Sequence, residues 1–202
     1  MEADWAVEIG QGLPIIDALW PGFINLAISP NRIGEIFEAA QLPALAQTLI
    51  TINRPYTVTQ QPSYARFWTA KCDLWQPDEW DPYEMQANSS TAQAALACYI
   101  DLLPASPTHV HTLFQHWQSA EKCAKQLVHA MHQQELTCVR ADCIVRSALL
   151  GDREGFGITV YLTACGESAQ TAAVSLSASL NILAEAQSVL PPHSTENLLP
   201  VQ

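Results

Sequence analysis

Cys165, in "LTACGESAQ", stands where a strand-like run gives way to a helical one. A thiol at a helix N-terminus feels the positive end of the backbone dipole, which lowers its pKa and enriches the thiolate. A cysteine nucleophile also needs a base, and the histidine-bearing segment 109–132 would supply one. A plainer account exists for each neighbour. Gly166 suits a turn, Ser168 suits a helix cap, and a cysteine closing a strand is commonly structural.

Five of the six histidines lie between His109 and His132, which raises metal binding. Spacing removes most of them. Two ligands on one helix must be three or four residues apart to face one ion. His109, His116 and Cys123 recur at steps of seven, so about 10 Å of rise separates each from the next. Only His129 and His132 have usable spacing, and they would form half a zinc site if another element brought a third ligand.

The third candidate is "WQPDEWDPYEM", Trp75 to Met85. Pro77 and Pro82 stop any preceding helix. Trp80 and Tyr83 then stand in a loop among Asp78, Glu79, Asp81 and Glu84. Aromatic rings among charges suit protein recognition, since Trp and Tyr are frequent hot-spot anchors. Folding back over the core is the commoner fate of a large ring. No P-loop, dinucleotide fingerprint, G-x-S-x-G, H-E-x-x-H or calcium-loop pattern accompanies these groups. No motif carries a family assignment.

Composition narrows the field. The chain has 202 residues, 49% of them hydrophobic and 14% charged, which excludes a disordered polymer. The net charge is −11, and nine basic residues without a run are a poor match for nucleic-acid phosphates. Residues 1–105 hold twelve acids against Arg32, Arg54, Arg66 and Lys71, whereas the remainder is nearer neutrality. That asymmetry suits solubility or a basic partner. "LPIIDALWPGFINLAIS" is interrupted by Asp17, Pro21 and Asn25, so it reads as buried core rather than a membrane span. The opening "MEADWAVEIG" is acidic where a secretion signal needs positive charge, and no cysteines form a C-x-x-C pair. Reduced thiols in a cytoplasmic protein are therefore expected.

These residues need elements to position them. "DWAVEIG" carries a weak strand signal. Ser29 and Pro30 open a helical pattern through Ile33, Ile36, Phe37 and Ala40, and "PALAQTLITI" continues it. Tyr64, Phe67, Trp68, Lys71, Cys72 and Trp75 fall at spacings of three and four, predicting a helix with an aromatic core face. "TAQAALACYIDLL" predicts another, and Pro107 to Gln134 the longest. "TCVRADCIVRSALL" and "GFGITVYLTAC" then read as a β-hairpin, followed by a final helix.

The expectation is an α+β fold: a mainly helical N-terminal two-thirds, then a β-hairpin and a C-terminal helix on one core. Residues 1–190 would form one domain and 191–202 a flexible tail. The function that fits is a non-catalytic acidic interaction module of adaptor, chaperone or inhibitor type, with a basic protein partner and no cofactor. Self-association through an exposed aromatic patch is compatible with it. The alternatives are a small enzyme using Cys165 with a histidine base, and a metal-binding regulator using His129 and His132.

Overall fold

The structure is a computed structural model, and it describes residues 1–8, 14–16, 22–54, 67–88, 90–104, 113–150 and 153–189. Its centre is the predicted hairpin. β5 (Val139–Leu150) and β6 (Arg153–Gly166) pair antiparallel from Val139 opposite Ala164 to Leu150 opposite Arg153. β4 (Ala94–Pro104) lies antiparallel on the other side of β6, and β3 (Phe67–Trp75) antiparallel beyond it. β1 (Glu2–Glu8) and the two-residue β2 (Ile15–Ile16) run parallel to β5 on its outer side. The order across the sheet is β1-β5-β6-β4-β3.

Period-two alternation explains why one side of this sheet is dry. Val139, Ala141, Cys143 and Val145 of β5 have no accessible surface, nor do Ile158, Val160, Leu162 and Ala164 of β6 or Cys98, Ile100 and Leu102 of β4. Residues at i and i+2 share a sheet face, so these rows form one apolar surface. Three helices cover it. α2 (Pro43–Ile52) packs on α4 (Ala169–Val189), α4 packs on β6 and β4, and α3 (Leu113–His132) packs on β5, β1 and β6. Each helix brings an apolar stripe: Leu45 and Leu49, then Ala124, Leu127 and Met131, then Leu176, Leu180 and Leu183. Burying each Leu contributes about 1.5–3 kcal/mol, which is what holds helices to sheet. A 3-10 segment, Pro30–Glu35, and the short α1 (Phe37–Gln41) precede α2.

The α+β class and the C-terminal hairpin and helix agree with expectation, but the mainly helical N-terminal two-thirds does not. Residues 67–75 and 94–104 are strands, and β1 opens the chain. The apparent helical spacing in β3 came from large side chains on both faces of a strand, Trp68 and Trp75 on one and Cys72 and Leu74 on the other. A bulge between Thr69 and Lys71 breaks the alternation that would have given it away. In β4, Leu96, Cys98, Ile100 and Leu102 alternate as a half-buried strand should. Ala95, Ala97 and Leu103 fill the other face with apolar residues and blur that signal.

At the start of α4, Ser168 Oγ accepts the Thr171 N–H at 3.3 Å and Thr171 Oγ1 accepts the Ser168 N–H at 2.9 Å. This reciprocal cap satisfies two backbone donors. Gly166 is required just before it, since a Cβ there would lie 2.8 Å from the Ala172 nitrogen. The expected tail, 191–202, lies outside the described residues.

Candidate functional site: the uncovered face of the sheet

All three long helices lie on one face, and among the described residues no helix covers the other. Its two ends are closed by small apolar clusters. At one end Ile15, Ala70, Leu103 and Ala148 pack with Trp68, and Phe23 meets Trp68 edge-on at 5.3 Å. At the other, Met85, Ala95 and Cys165 pack with Trp80 and Cys138. A belt of half-exposed side chains crosses the strands between them.

Three rings cross that belt. Trp75 of β3, Tyr99 of β4 and Tyr161 of β6 stand 6.2 Å and 5.8 Å apart, centroid to centroid. Register causes this ladder: Tyr99 sits directly opposite Tyr161, and Trp75 opposite Ala97, the next β4 residue on the same face. Cations of the chain lie over two of the rings. Lys71 Nζ is 5.9 Å from the Tyr99 centroid, and the Arg146 guanidinium 5.6 Å from that of Tyr161. The Lys71 ammonium is held above its ordinary range by the Tyr99 hydroxyl.

Carboxylates surround the rings. The wholly buried Thr159 donates its hydroxyl to Asp101 at 2.6 Å. Burial pushes the Asp101 carboxyl up, against the opposing pull of that hydrogen bond and of Arg146 and Lys71. Arg146 Nη2 meets Glu8 at 2.7 Å, while its buried Nε has no partner among the described residues. Arg140 grips Asp142 with two nitrogens, at 2.9 Å each, and reaches Glu84 at 3.5 Å. Glu2 and Asp4 stand opposite Arg140 and Asp142, and Asp73 lies beside Tyr99. The described face thus has seven carboxylates against three cations, with rings at its centre.

The residues singled out from sequence fall around this belt without forming one site. Trp80 turns inward onto Met85, Ala95 and Cys165. Tyr83 turns outward and is 75% exposed. Asp78, Glu79, Asp81 and Glu84 are exposed; Asp81 accepts the Tyr83 N–H at 2.9 Å, and only Glu84 of the four reaches the belt. Trp75, expected in a helix core, is a rung of the aromatic ladder.

Cys165 has no accessible surface, and burial pushes its thiol up to about 11, the reverse of the shift a nucleophile needs. Its side chain is on the uncovered face, whereas α3, bearing His116, His129 and His132, packs on the opposite face. His109 and His111 lie outside the described residues. His129 is exposed and its Nε2 is 3.0 Å from the Gln133 amide. His132 is also exposed, beside a cavity of about 330 Å³ lined by Gln86, Glu135 and Thr137 among others. Among the described residues no three His, Cys, Asp or Glu side chains gather as a metal site would require. None of their helices is long and apolar enough to cross a membrane.

The belt was missed because it exists only if 67–75 and 94–104 are strands. "YIDLL" and "TVYLT" did carry the signal: a tyrosine and a polar residue alternate with buried aliphatics in each. Comparison adds no relative: no protein-family model, no curated protein and no solved structure matches the chain.

Proposed function

We propose that the chain is a non-catalytic interaction module whose docking surface is this belt, and that its occupant is an extended basic segment of another protein. The observation that carries the reading is the Trp75–Tyr99–Tyr161 ladder, standing half-exposed where carboxylates outnumber cations. Rings present a negative face to guanidinium and ammonium groups, and the surrounding acids add a long-range attraction. An extended segment lying across the strands meets the rings in turn. The six unbridged cysteines fit a reducing, cytoplasmic setting.

The test uses the full chain and two short fluorescent peptides, one alternating arginine with serine and one alternating glutamate with serine. Fluorescence anisotropy should show binding of the arginine peptide alone, weakening as salt rises. Trp75→Ala and Asp73→Lys should each weaken it roughly ten- to thirty-fold, the range of a hot-spot residue. No binding of the arginine peptide, equal binding of both peptides, or indifference to both substitutions would overturn the reading.

A further inference from the structure

Beneath the loop that closes one end of the belt lie two thiols whose arrangement differs from that of the other four. The β5–β6 ladder begins with Val139 opposite Ala164, so one step further Cys138 faces Cys165. Their backbones are joined there, the Cys165 N–H donating to the Cys138 carbonyl at 2.9 Å. The side chains pack in the same cluster, and Cys138 stands near enough to add to the upward push that burial gives the Cys165 thiol. Residues directly opposed on antiparallel strands have Cα atoms about 4.5–5.5 Å apart, within the range a disulfide spans.

Cys138 also has the features of an entry point. It is partly exposed, while Cys165 has no accessible surface. Its φ of 64° lies in the left-handed region, where a residue with a Cβ is strained. That conformation turns the chain so that the Cys138 N–H meets the Met85 carbonyl at 2.8 Å, tying β5 to the belt's end wall.

The remaining cysteines are placed differently. Cys123 and Cys143 are buried on the helix-covered face. Cys72 pairs with Ile100 and Cys98 with Leu74, so their Cα atoms are diagonal neighbours about 7–8 Å apart, beyond the range bridged without backbone movement.

We infer that Cys138 and Cys165 form a peroxide-responsive dithiol site, with Cys138 oxidised first and Cys165 resolving it. The oxidant is a hydroperoxide. The Cys138 thiolate attacks one peroxide oxygen and the O–O bond breaks, leaving a sulfenic acid on Cys138 and releasing an alcohol, or water from hydrogen peroxide. Cys165, raised in pKa but held beside its target so that proximity offsets its small thiolate fraction, then attacks Cys138 sulfur; the S–O bond breaks, and the departing hydroxide takes the Cys165 proton as water. Two electrons pass from the thiols to the peroxide. The inference is independent of the peptide-docking reading, since neither thiol belongs to the ring ladder or its carboxylates.

The experiment treats the reduced full chain with hydrogen peroxide, blocks remaining thiols with N-ethylmaleimide and maps peptides without reduction. The Cys138–Cys165 cross-link should be the dominant intramolecular product and disappear on reduction. Cys138→Ser should abolish it and leave Cys165 as a thiol. Cys165→Ala, which keeps the site apolar, should leave Cys138 as the oxidised residue, recovered as sulfinic acid. Accumulation of sulfinic acid on Cys138 in the unsubstituted chain without the cross-link would overturn the inference. So would a dominant Cys72–Cys98 bridge, a bridge between chains, or survival of all six thiols.

Discussion

Gly157 tests the geometry of the uncovered face most directly. It sits in β6 opposite Arg146, at the edge of the belt where Ile15 and Leu103 cover the sheet. A Cβ there would lie 2.7 Å from the Leu102 carbonyl oxygen, 2.8 Å from Ile15 Cδ1 and 2.9 Å from Leu103 Cδ2. Replacing a strand glycine by alanine ordinarily gains about 0.5–1 kcal/mol by restricting the unfolded chain. Overpacking a filled site costs about 1–3 kcal/mol. The two side-chain ends have some freedom to rotate, but the carbonyl is backbone of the neighbouring strand, so the cost should win. We expect Gly157→Ala to lose about 1–2 kcal/mol net, or roughly 2–8 °C in melting temperature for a chain of this size. Gly34→Ala is the control, because a Cβ there meets nothing within 4 Å. It should leave the melting temperature unchanged or raise it slightly. Ile15→Val removes one of the three obstructing atoms, so it should cost less in the Gly157→Ala background than alone. Urea melts of the parent, Gly157→Ala, Ile15→Val and the double variant read this coupling at constant m value. A melting temperature for Gly157→Ala at or above that of Gly34→Ala would refute the packing argument.

Asp101 gives a prediction with a defined sign. Its folded-state pKa is raised, so the folded chain holds the proton more tightly than the unfolded one, and stability falls as pH rises from the ordinary aspartate range through the raised value. Asp101→Asn should therefore be favoured relative to the parent at about pH 7, with that advantage shrinking towards about pH 3; an advantage independent of pH would contradict it. At the head of α4, Ser168→Ala should cost about 0.5–2 kcal/mol in urea melts while Ser168→Asp retains most of the stability. Identical midpoints for the two variants would show that the cap contributes nothing.

Legibility in the sequence followed how many faces of an element are apolar. α2 was readable to its ends because Pro43 starts it and its stripe is single. The hairpin was readable because β-branched residues crowd both strands around a turn. β3 and β4 were misread because both faces of each carry apolar or aromatic side chains, so alternation shows only once the partners are known. Trp68 and Ala70 serve one end cluster while Cys72 and Leu74 serve the helix-covered core. Misreading those strands moved Trp75 into a helix and left Tyr99 and Tyr161 unnoticed as neighbours. By contrast, Trp80 turning inward and Tyr83 outward separated two residues that sequence spacing had grouped together.

An antiparallel sheet with one wet face needs only polar residues there, and Thr, Lys and Glu would satisfy solvent without further demands. This face departs from that minimum in two ways. It places three large rings in a row across adjacent strands, and it surrounds them with a charge excess that the chain's own cations only partly offset. Partly exposed ion pairs such as Arg140–Asp142 contribute little, about 0–1 kcal/mol each, so stability alone does not account for the pattern. Both ends of the face are closed with apolar clusters built from β2 and the Trp75–Met85 loop, which shows that the chain has segments able to cover it. Among the described residues they stop short of the rings. That pattern, apolar clusters at both ends and rings among carboxylates between them, is what the docking proposal rests on. In that proposal the acid excess is the reason for a basic occupant, and the row of rings across the strands is the reason for an extended one.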